Sequence, residues 1–338
     1  MTSMSAASIT PVTGAPFARI MGVGSYRPAR VVTNAEICEL IDSSQEWIRE
    51  RSGIEERRFA AEDETVADMA VAAASKAIAS AGITPDQIGA VIVATVTHLL
   101  ATPSAAAEVG YRLGAGNAPA FDISAACAGF CYGLSLAQDM VRGGSADYVV
   151  VIGVEKLTDI VDPTDRSTAF LFADGAGAVV VGPSTTPAIG PTVWGSDGSH
   201  LDAITMSGRY EDLRNEPRAE YPHVVMQGQV VFRWAVNEMA RVAQEALDAA
   251  GIKATDLSAF IPHQANLRIV DAMVRALKLP DDIPVARDIV KSGNTSAASV
   301  PIAMDAMLQA GQIPSGGLAL LIGFGAGLAF AAQVVELP

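Results

Sequence analysis

Cysteine, aromatic residues and charge are all scarce in this chain of 338 residues, and each scarcity rules something out. Three cysteines, at 38, 127 and 131, are an odd set that makes no disulfide framework and fits a reducing compartment. Cys127 and Cys131 are four apart, which shares a helix face but lacks the Cys-x-x-Cys spacing of a redox or zinc site, so no metal is expected. Charged residues are only 18% of the chain, with 23 Lys and Arg against 37 Asp and Glu, a net charge of −14. Without a cation excess to displace counterions from phosphates, nucleic acid is not an expected partner. The first sixteen residues carry neither early positive charge nor an apolar run, so they read as a flexible terminus and not as a signal peptide, with the cytoplasm as the expected location.

What is present is apolar: half of the residues are hydrophobic, enough for one large or two modest packed domains. Residues 318–335 are uncharged and long enough to span a bilayer, but glycines at 323, 325 and 327 divide them. The stretch reads as a buried strand at 318–322, a tight loop at 323–327 and a second strand at 328–336, so no membrane is expected. The chain also repeats itself weakly at half its length. Ala77-Ile-Ala-Ser-Ala-Gly-Ile-Thr-Pro-Asp-Gln-Ile-Gly-Ala-Val-Ile92 lies over Ala246-Leu-Asp-Ala-Ala-Gly-Ile-Lys-Ala-Thr-Asp-Leu-Ser-Ala-Phe-Ile261, each a helix, a glycine cap and a strand. A second echo relates 127–153 to 294–323. Short apolar runs at 90–94, 148–152, 176–181, 260–261 and 318–322 fit strands buried on both faces, with helices between them. The expectation is a layered α/β protein of two similar halves, 17–185 and 186–338. The polar, turn-rich segment 196–226 is expected to form loops over a site entrance.

Three residues sit in unusual small-residue settings: Cys127 in Asp122-Ile-Ser-Ala-Ala-Cys-Ala-Gly-Phe130, His263 in Ile261-Pro-His-Gln-Ala-Asn266, and Asn294 in Ser292-Gly-Asn-Thr-Ser-Ala-Ala298. Alone, each has a bland reading as a small buried residue, a satisfied histidine or a turn residue. Together they read as a thiol nucleophile with two neutral hydrogen-bonding partners. A cysteine at a helix start faces unpaired amides and the positive dipole end, which is expected to lower its pKa.

These motifs, with His263-Gln-Ala-Asn266, Gly293-Asn-Thr-Ser-Ala-Ala-Ser-Val-Pro301 and Asp174-Gly-Ala-Gly177 in that order, resemble the β-ketoacyl-[acyl-carrier-protein] synthase III enzymes of the thiolase superfamily. The resemblance runs from Gly22-Val-Gly-Ser-Tyr-Arg-Pro28 to Gly323-Phe-Gly-Ala-Gly327. It implies a thiolase-like duplicated five-layer αβαβα fold, a homodimer, and an acyltransferase that uses no cofactor, taking acyl-CoA as substrate. The implied reaction is a decarboxylative condensation of an acyl-CoA primer with malonyl-acyl-carrier protein, initiating fatty-acid or polyketide synthesis through an acyl-Cys127 intermediate. Backbone amides of Cys127 and of the Gly325-Ala326 loop would form the oxyanion hole. Coenzyme A would be held by Ser43, Trp47, Arg51, Arg166 and Asn266, with Trp47 and Arg166 on the two sides of the adenine. Thr102 and Phe324 are placed at the acyl pocket, Thr102 standing where acetyl-restricted members carry Phe. Arg268, Arg275 and Lys278 would lie on one helix face, either docking the acidic carrier protein or forming an ordinary solvated face interrupted by Asp271.

No cysteine follows 131 and no histidine follows 263, so the second cysteine of degradative thiolases and the second histidine of elongating ketosynthases are missing. Chalcone-synthase-like relatives share the trio but are longer and carry Pro where Ala326 stands. Two other readings remain at this stage: a papain-like cysteine hydrolase, with Cys, His and Asn in the same order, and a relative that binds or transfers acyl groups without condensing them.

Overall fold

The computed structural model describes residues 9–215 and 220–338. Part of the expected flexible terminus and part of the expected entrance loops therefore lie outside the described residues. In chain order the first half contains β1 (Phe17–Tyr26), β2 (Arg30–Thr33), α1 (Asn34–Leu40), α2 (Gln45–Ser52), β3 (Glu56–Phe59), α3 (Val66–Ala81), β4 (Ala90–Ala94), α4 (Ala105–Leu113), β5 (Ala120–Ile123), α5 (Gly129–Gly143), β6 (Val149–Glu155) and β7 (Gly175–Ser184). The remainder contains β8 (Val193–Ser196), β9 (Ile204–Met206), α6 (Tyr210–Asn215), β10 (Val224–Met226), α7 (Gly228–Ala250), β11 (Ala259–Pro262), α8 (Leu267–Leu277), α9 (Ile289–Ser292), α10 (Ser299–Gln309), β12 (Leu318–Gly325) and β13 (Ala329–Glu336).

Two sheets carry the repeat. One has the order β1-β7-β6-β4-β5 and the other β11-β12-β13-β8. Reversed, the second reads β8-β13-β12-β11, and a parallel bridge from Phe260 to Val285 stands where β5 stands in the first. In each sheet two neighbouring strands pair in parallel, β4 with β6 and β11 with β12, while β6 with β7 and β12 with β13 are antiparallel. The local reasons are repeated as well: α3 ends on Gly82 and α7 on Gly251, both in the left-handed region that glycine adopts without penalty.

Five layers result. α3 and α4 cover the outer face of the first sheet, α5 and α10 fill the space between the sheets, and α7 and α8 cover the second. α5 comes from the first half and α10 from the second, and each touches both sheets. The middle layer is therefore mainly apolar, with Phe130, Leu134, Ala137, Val300, Ala303 and Met304 in one buried cluster with strand residues from both halves. Residues 318–336 form β12, a short turn and β13. No helix among the described residues is long and apolar enough to cross a membrane.

Each half inserts material between its first strand and first long helix: β2 to β3 in one, β9 to β10 in the other. The two insertions meet in a separate cluster where Ile48, Ile54 and Trp47 pack with Ile204, Met206, Val224 and Met226. The segment 196–226 is thus partly regular, pairing Val224 with Met206 and Met226 with Ile204.

Candidate active site

The nucleophile candidate lies in a 3-10 turn, Ala126–Ala128, that runs straight into α5. Ala126 holds φ 45°, a conformation unusual for a residue with a Cβ, and it swings the next side chain out of the chain direction. The second half repeats the device: Ser296 holds φ 49° in the turn Ser296–Ala298 before α10. The two turns touch each other in the middle layer.

The end of β12 joins these parts. A Cβ on Gly325 would stand 2.8 Å from Cys127 Cβ and 2.9 Å from its Sγ, so only glycine lets this strand approach the thiol. One residue earlier, the Phe324 ring meets the His263 ring edge-on at 5.3 Å and Trp234 at 6.3 Å. Phe324 therefore buttresses the histidine with its buried ring. His263 follows β11, and its backbone amide donates to the Ile322 carbonyl at 2.7 Å, which extends the β11–β12 pairing by one residue. Its Nδ1 lies 2.6 Å from Ser299 Oγ. Ser299 Oγ also accepts from the Gln264 amide at 3.3 Å. Already taking the Gln264 amide proton, Ser299 Oγ has its own proton to give to Nδ1, and in that arrangement the histidine carries its proton on Nε2, facing away from Ser299. Asn294 is buried, and its Oδ1 accepts from the Ser296 amide at 2.9 Å, which orients its NH2 group for another acceptor.

Charge in this region is set by burial. The imidazole of His263 is pushed down to about 3, so it is neutral at any physiological pH. A histidine so desolvated is a poor partner for a thiolate–imidazolium pair, which removes the main support for a papain-like hydrolase. The thiol departs from expectation. Although Cys127 keeps one edge open, burial pushes its thiol up to about 12; the Ser296 hydroxyl beside it works against this and the nearby Glu155 charge adds to it. The helix start does not outweigh the packing around Sγ, and the resting residue is a thiol.

Around the entrance, Trp47 lies edge-on to Phe170 at 5.2 Å, with the Arg166 guanidinium 4.7 Å and the Arg51 guanidinium 5.8 Å from its ring centre. Ser43 Oγ is buried without a hydrogen-bond partner. Asn266 caps α8 by accepting from the Arg268 amide and donates from Nδ2 to the Arg51 carbonyl at 2.8 Å, so its side chain ties α2 to α8. On α8, Arg268 and Arg275 are exposed, and Asp271 is drawn off into an ion pair with Arg287 at 2.7 Å. Lys278 is not in the helix as expected: it is the left-handed cap just past its end, at φ 52°, and is exposed. Thr102 is exposed on the loop after β4.

Several residues that the sequence did not single out belong to this constellation. Ser296 and Ser299 lie inside the quoted Gly293–Pro301 motif without any mark of their own. Glu155 closes the apolar run of β6, fully buried, and an acid at that point in a buried strand was the available signal.

Comparison with known proteins adds the family. Residues 121–198 match the model described as 3-Oxoacyl-[acyl-carrier-protein (ACP)] synthase III, and residues 247–337 match that of its C terminal region. A β-ketoacyl-[acyl-carrier-protein] synthase III of Streptomyces glaucescens is 60% identical over 330 residues, covering 98% of this chain and 99% of that protein. The chain belongs to the 3-oxoacyl-[acyl-carrier-protein] synthase III family. A mycobacterial synthase III of Mycobacterium avium is 53% identical over 94% of this chain and 95% of its own. Among solved structures, the priming β-ketosynthase of the R1128 polyketide biosynthetic pathway superposes with a TM-score of 0.95 at 49% identity, covering 97% of this chain and 98% of that one. The synthase III of Aquifex aeolicus does so with a TM-score of 0.87 at 40% identity, covering 94% and 99%. The fold is thiolase-like, and the chain is a condensing acyltransferase of the synthase III type.

Proposed function

We propose that Cys127 carries the primer acyl group and that His263 and Asn294 hold the enolate formed from malonyl-acyl-carrier protein. The Cys127 sulfur attacks the acyl-CoA thioester, the amides of Cys127 and Ala326 receive the oxyanion, and coenzyme A leaves. Malonyl-acyl-carrier protein then enters, and its thioester carbonyl accepts from His263 Nε2 and Asn294 Nδ2. Carbon dioxide departs, and the resulting carbanion attacks the acyl-enzyme to give 3-oxoacyl-carrier protein. The single observation that carries this reading is the end of β12, where Gly325 touches the thiol and Phe324 touches a histidine kept neutral by burial. Two neutral donors suit an enolate because they stabilise charge without offering a proton that would quench it.

Trp47 flanked by Arg166 and Arg51 supports an adenine site; the Arg166 guanidinium rests on the indole at 4.7 Å and has to draw back for the base to enter between them. Asn266 serves this site by fixing the Arg51 backbone. The exposed cations Arg268, Arg275 and Lys278 are the proposed carrier-protein contact. The open sheet edge at β5, with Phe121, Val96, Leu99 and Leu100 exposed beside it, supports a homodimer. In that dimer the exposed Thr102 loop would line the acyl pocket of the other copy.

Intact-protein mass spectrometry with acetyl-, isobutyryl- and longer acyl-CoA, followed by malonyl-acyl-carrier protein, tests the reading. The expected result is an adduct on Cys127 that disappears into 3-oxoacyl-carrier protein. His263→Ala and Asn294→Ala should keep the adduct and lose condensation by roughly 10²- to 10³-fold. An adduct that only hydrolyses overturns it.

A further inference from the structure

Beneath Cys127 lies a buried acid that the mechanism above does not use. Glu155, at the end of β6, is fully inaccessible. Its Oε1 accepts from Ser296 Oγ at 3.0 Å, and its Oε2 accepts from Thr97 Oγ1 at 2.7 Å, the Val96 amide at 3.1 Å and Thr95 Oγ1 at 3.2 Å. No cation is paired with it: among the described residues its neighbour Lys156 turns away, to the Glu62 carbonyl at 3.1 Å and the Asp159 carboxylate at 3.6 Å. Four neutral donors around an acid with no counter-ion make a group that can take up a proton as readily as hold a charge. The one exit from this pocket toward the reaction is Ser296, whose turn packs directly against the turn that carries Cys127 and whose hydroxyl lies between Glu155 and that thiol.

We propose that Ser296 and Glu155 form a relay that takes the proton from Cys127 during acylation and returns it during condensation. The proposal rests on Cys127 being the acylated residue. In acylation the S–H bond breaks as the Sγ–carbon bond forms. The proton passes to Ser296 Oγ, and Ser296 hands its own to Glu155 Oε1. The thioester carbon–sulfur bond of the acyl-CoA breaks, and the coenzyme A thiolate takes a proton from water. Glu155 is then neutral while carbon dioxide leaves, so no buried carboxylate opposes the enolate. When the carbanion attacks the acyl-enzyme, the Cys127 thiolate is expelled and regains its proton from Glu155 by the same route. One cycle consumes one proton from solvent, and every protein group ends as it began. Ser296 exchanges the proton with the reacting sulfur and is the catalytic residue of the pair. Glu155 acts through it and is a positioning residue.

The observed charges agree with this division. Burial raises the Glu155 carboxyl to about 7, against hydrogen bonds that favour its ionised form. The Glu155 charge also opposes ionisation of Cys127, so the two groups do not carry charge together and the relay moves a single charge between them.

The test is the rate of Cys127 acylation by acyl-CoA and of its alkylation by iodoacetamide, from pH 5.5 to 9.5, in the full chain and in Glu155→Gln and Ser296→Gly. Glycine at 296 tolerates the positive φ while removing the hydroxyl. The wild-type rate should rise through about pH 7, following ionisation of Glu155. Both variants should lose that rise and acylate about 100-fold more slowly at neutral pH, with KM for acyl-CoA little changed and cooperative unfolding retained. Folded variants with the wild-type pH profile and rate overturn the relay and leave the nucleophile assignment standing. Should Glu155→Gln fail to fold, Ser296→Gly decides. A wild-type protein that takes no acyl group on Cys127 overturns the assignment and the relay together.

Discussion

Ala126 and Ser296 occupy corresponding places in the two halves, each at a positive φ in the turn before the buried middle helix. The backbone device is the same and the chemistry is divided between its copies. In the first half the next residue is Cys127, the proposed nucleophile; in the second it is Ala297, and the proposed proton carrier is the serine one step earlier. The strands facing the turns are exchanged. The ends of β4 and β6 supply Thr95, Thr97 and Glu155 to the turn of the second half. The ends of β11 and β12 supply His263 and Gly325 to the side where Cys127 stands. Duplication has made one pocket with an acidic floor from one sheet and a neutral donor wall from the other.

The comparison breaks most completely if the thiol is moved. Cys127→Ala should abolish the acyl-enzyme, with condensation reduced roughly a thousandfold or more. Placing the thiol at the corresponding position, as Cys127→Ala with Ala297→Cys, should not restore it, because position 297 is buried and its carbonyl is pressed against Gly153. Intact mass after incubation with acyl-CoA checks both. An adduct on residue 297 would mean that the turns are functionally equivalent.

The two sheets should also differ in how they tolerate an added methyl group. On Gly153 of β6 a Cβ would come within 2.2 Å of the Ala297 carbonyl, a backbone atom that cannot move aside. Gly153→Ala should therefore destabilise the fold by about 3 kcal/mol or more. On Gly325 the nearest atoms are those of Cys127. Gly325→Ala should cost about 1–3 kcal/mol in stability and at least tenfold in acylation. Thermal unfolding and single-turnover acylation, measured on both variants, separate a site defect from a folding defect.

The acidic floor and the neutral wall should leave opposite marks on the pH dependence of stability. Glu155 is raised from 4.5 to about 7 in the folded protein, so the native state binds the proton more tightly. Its contribution is fully present below pH 4.5 and is lost as pH rises through about 7, a change of about 3 kcal/mol. His263 is lowered from 6.5 to about 3, so its contribution is present above pH 6.5 and is lost as pH falls toward 3. Between these limits the two slopes oppose one another. Glu155→Gln should remove the falling limb, so that the variant gains stability relative to wild type between pH 5 and pH 8 in denaturant titrations. Identical pH slopes in the two proteins would place the ionisation elsewhere.

The contrast between floor and wall also shows where sequence reading works. Cys127, His263 and Asn294 were legible because each sits in a run of small residues that leaves room around it, and the repeat was legible because Gly82 and Gly251 cap corresponding helices. Glu155 was not, because its donors Thr97 and Ser296 come from opposite halves of the chain and an acid closing an apolar run looks like the end of a strand. The thiol was read as acidified because a helix start is visible in sequence, whereas the burial that outweighs it is not. Lys278 was read as helical because spacing continues past the cap, and only its left-handed backbone shows the helix has ended.

The smallest expected effect concerns the first residues of the two middle helices. α5 begins with Gly129, where a Cβ would be 2.9 Å from Ala94 Cβ, and α10 begins with Ser299, which holds His263 Nδ1 at 2.6 Å. One position is shaped by packing and the other by a hydrogen bond. Ser299→Ala keeps the helix start and removes the donor that fixes the imidazole tautomer, a loss of about 1 kcal/mol. In the proposed mechanism His263 acts after the acyl group is in place, so the loss should appear as a several-fold fall in condensation with the rate of Cys127 acylation unchanged. Ser299→Thr, which restores a hydroxyl, should recover part of it. A fall in acylation of the same size would instead mean that Ser299 supports the pocket as a whole and that the second helix start, like the first, is a matter of packing.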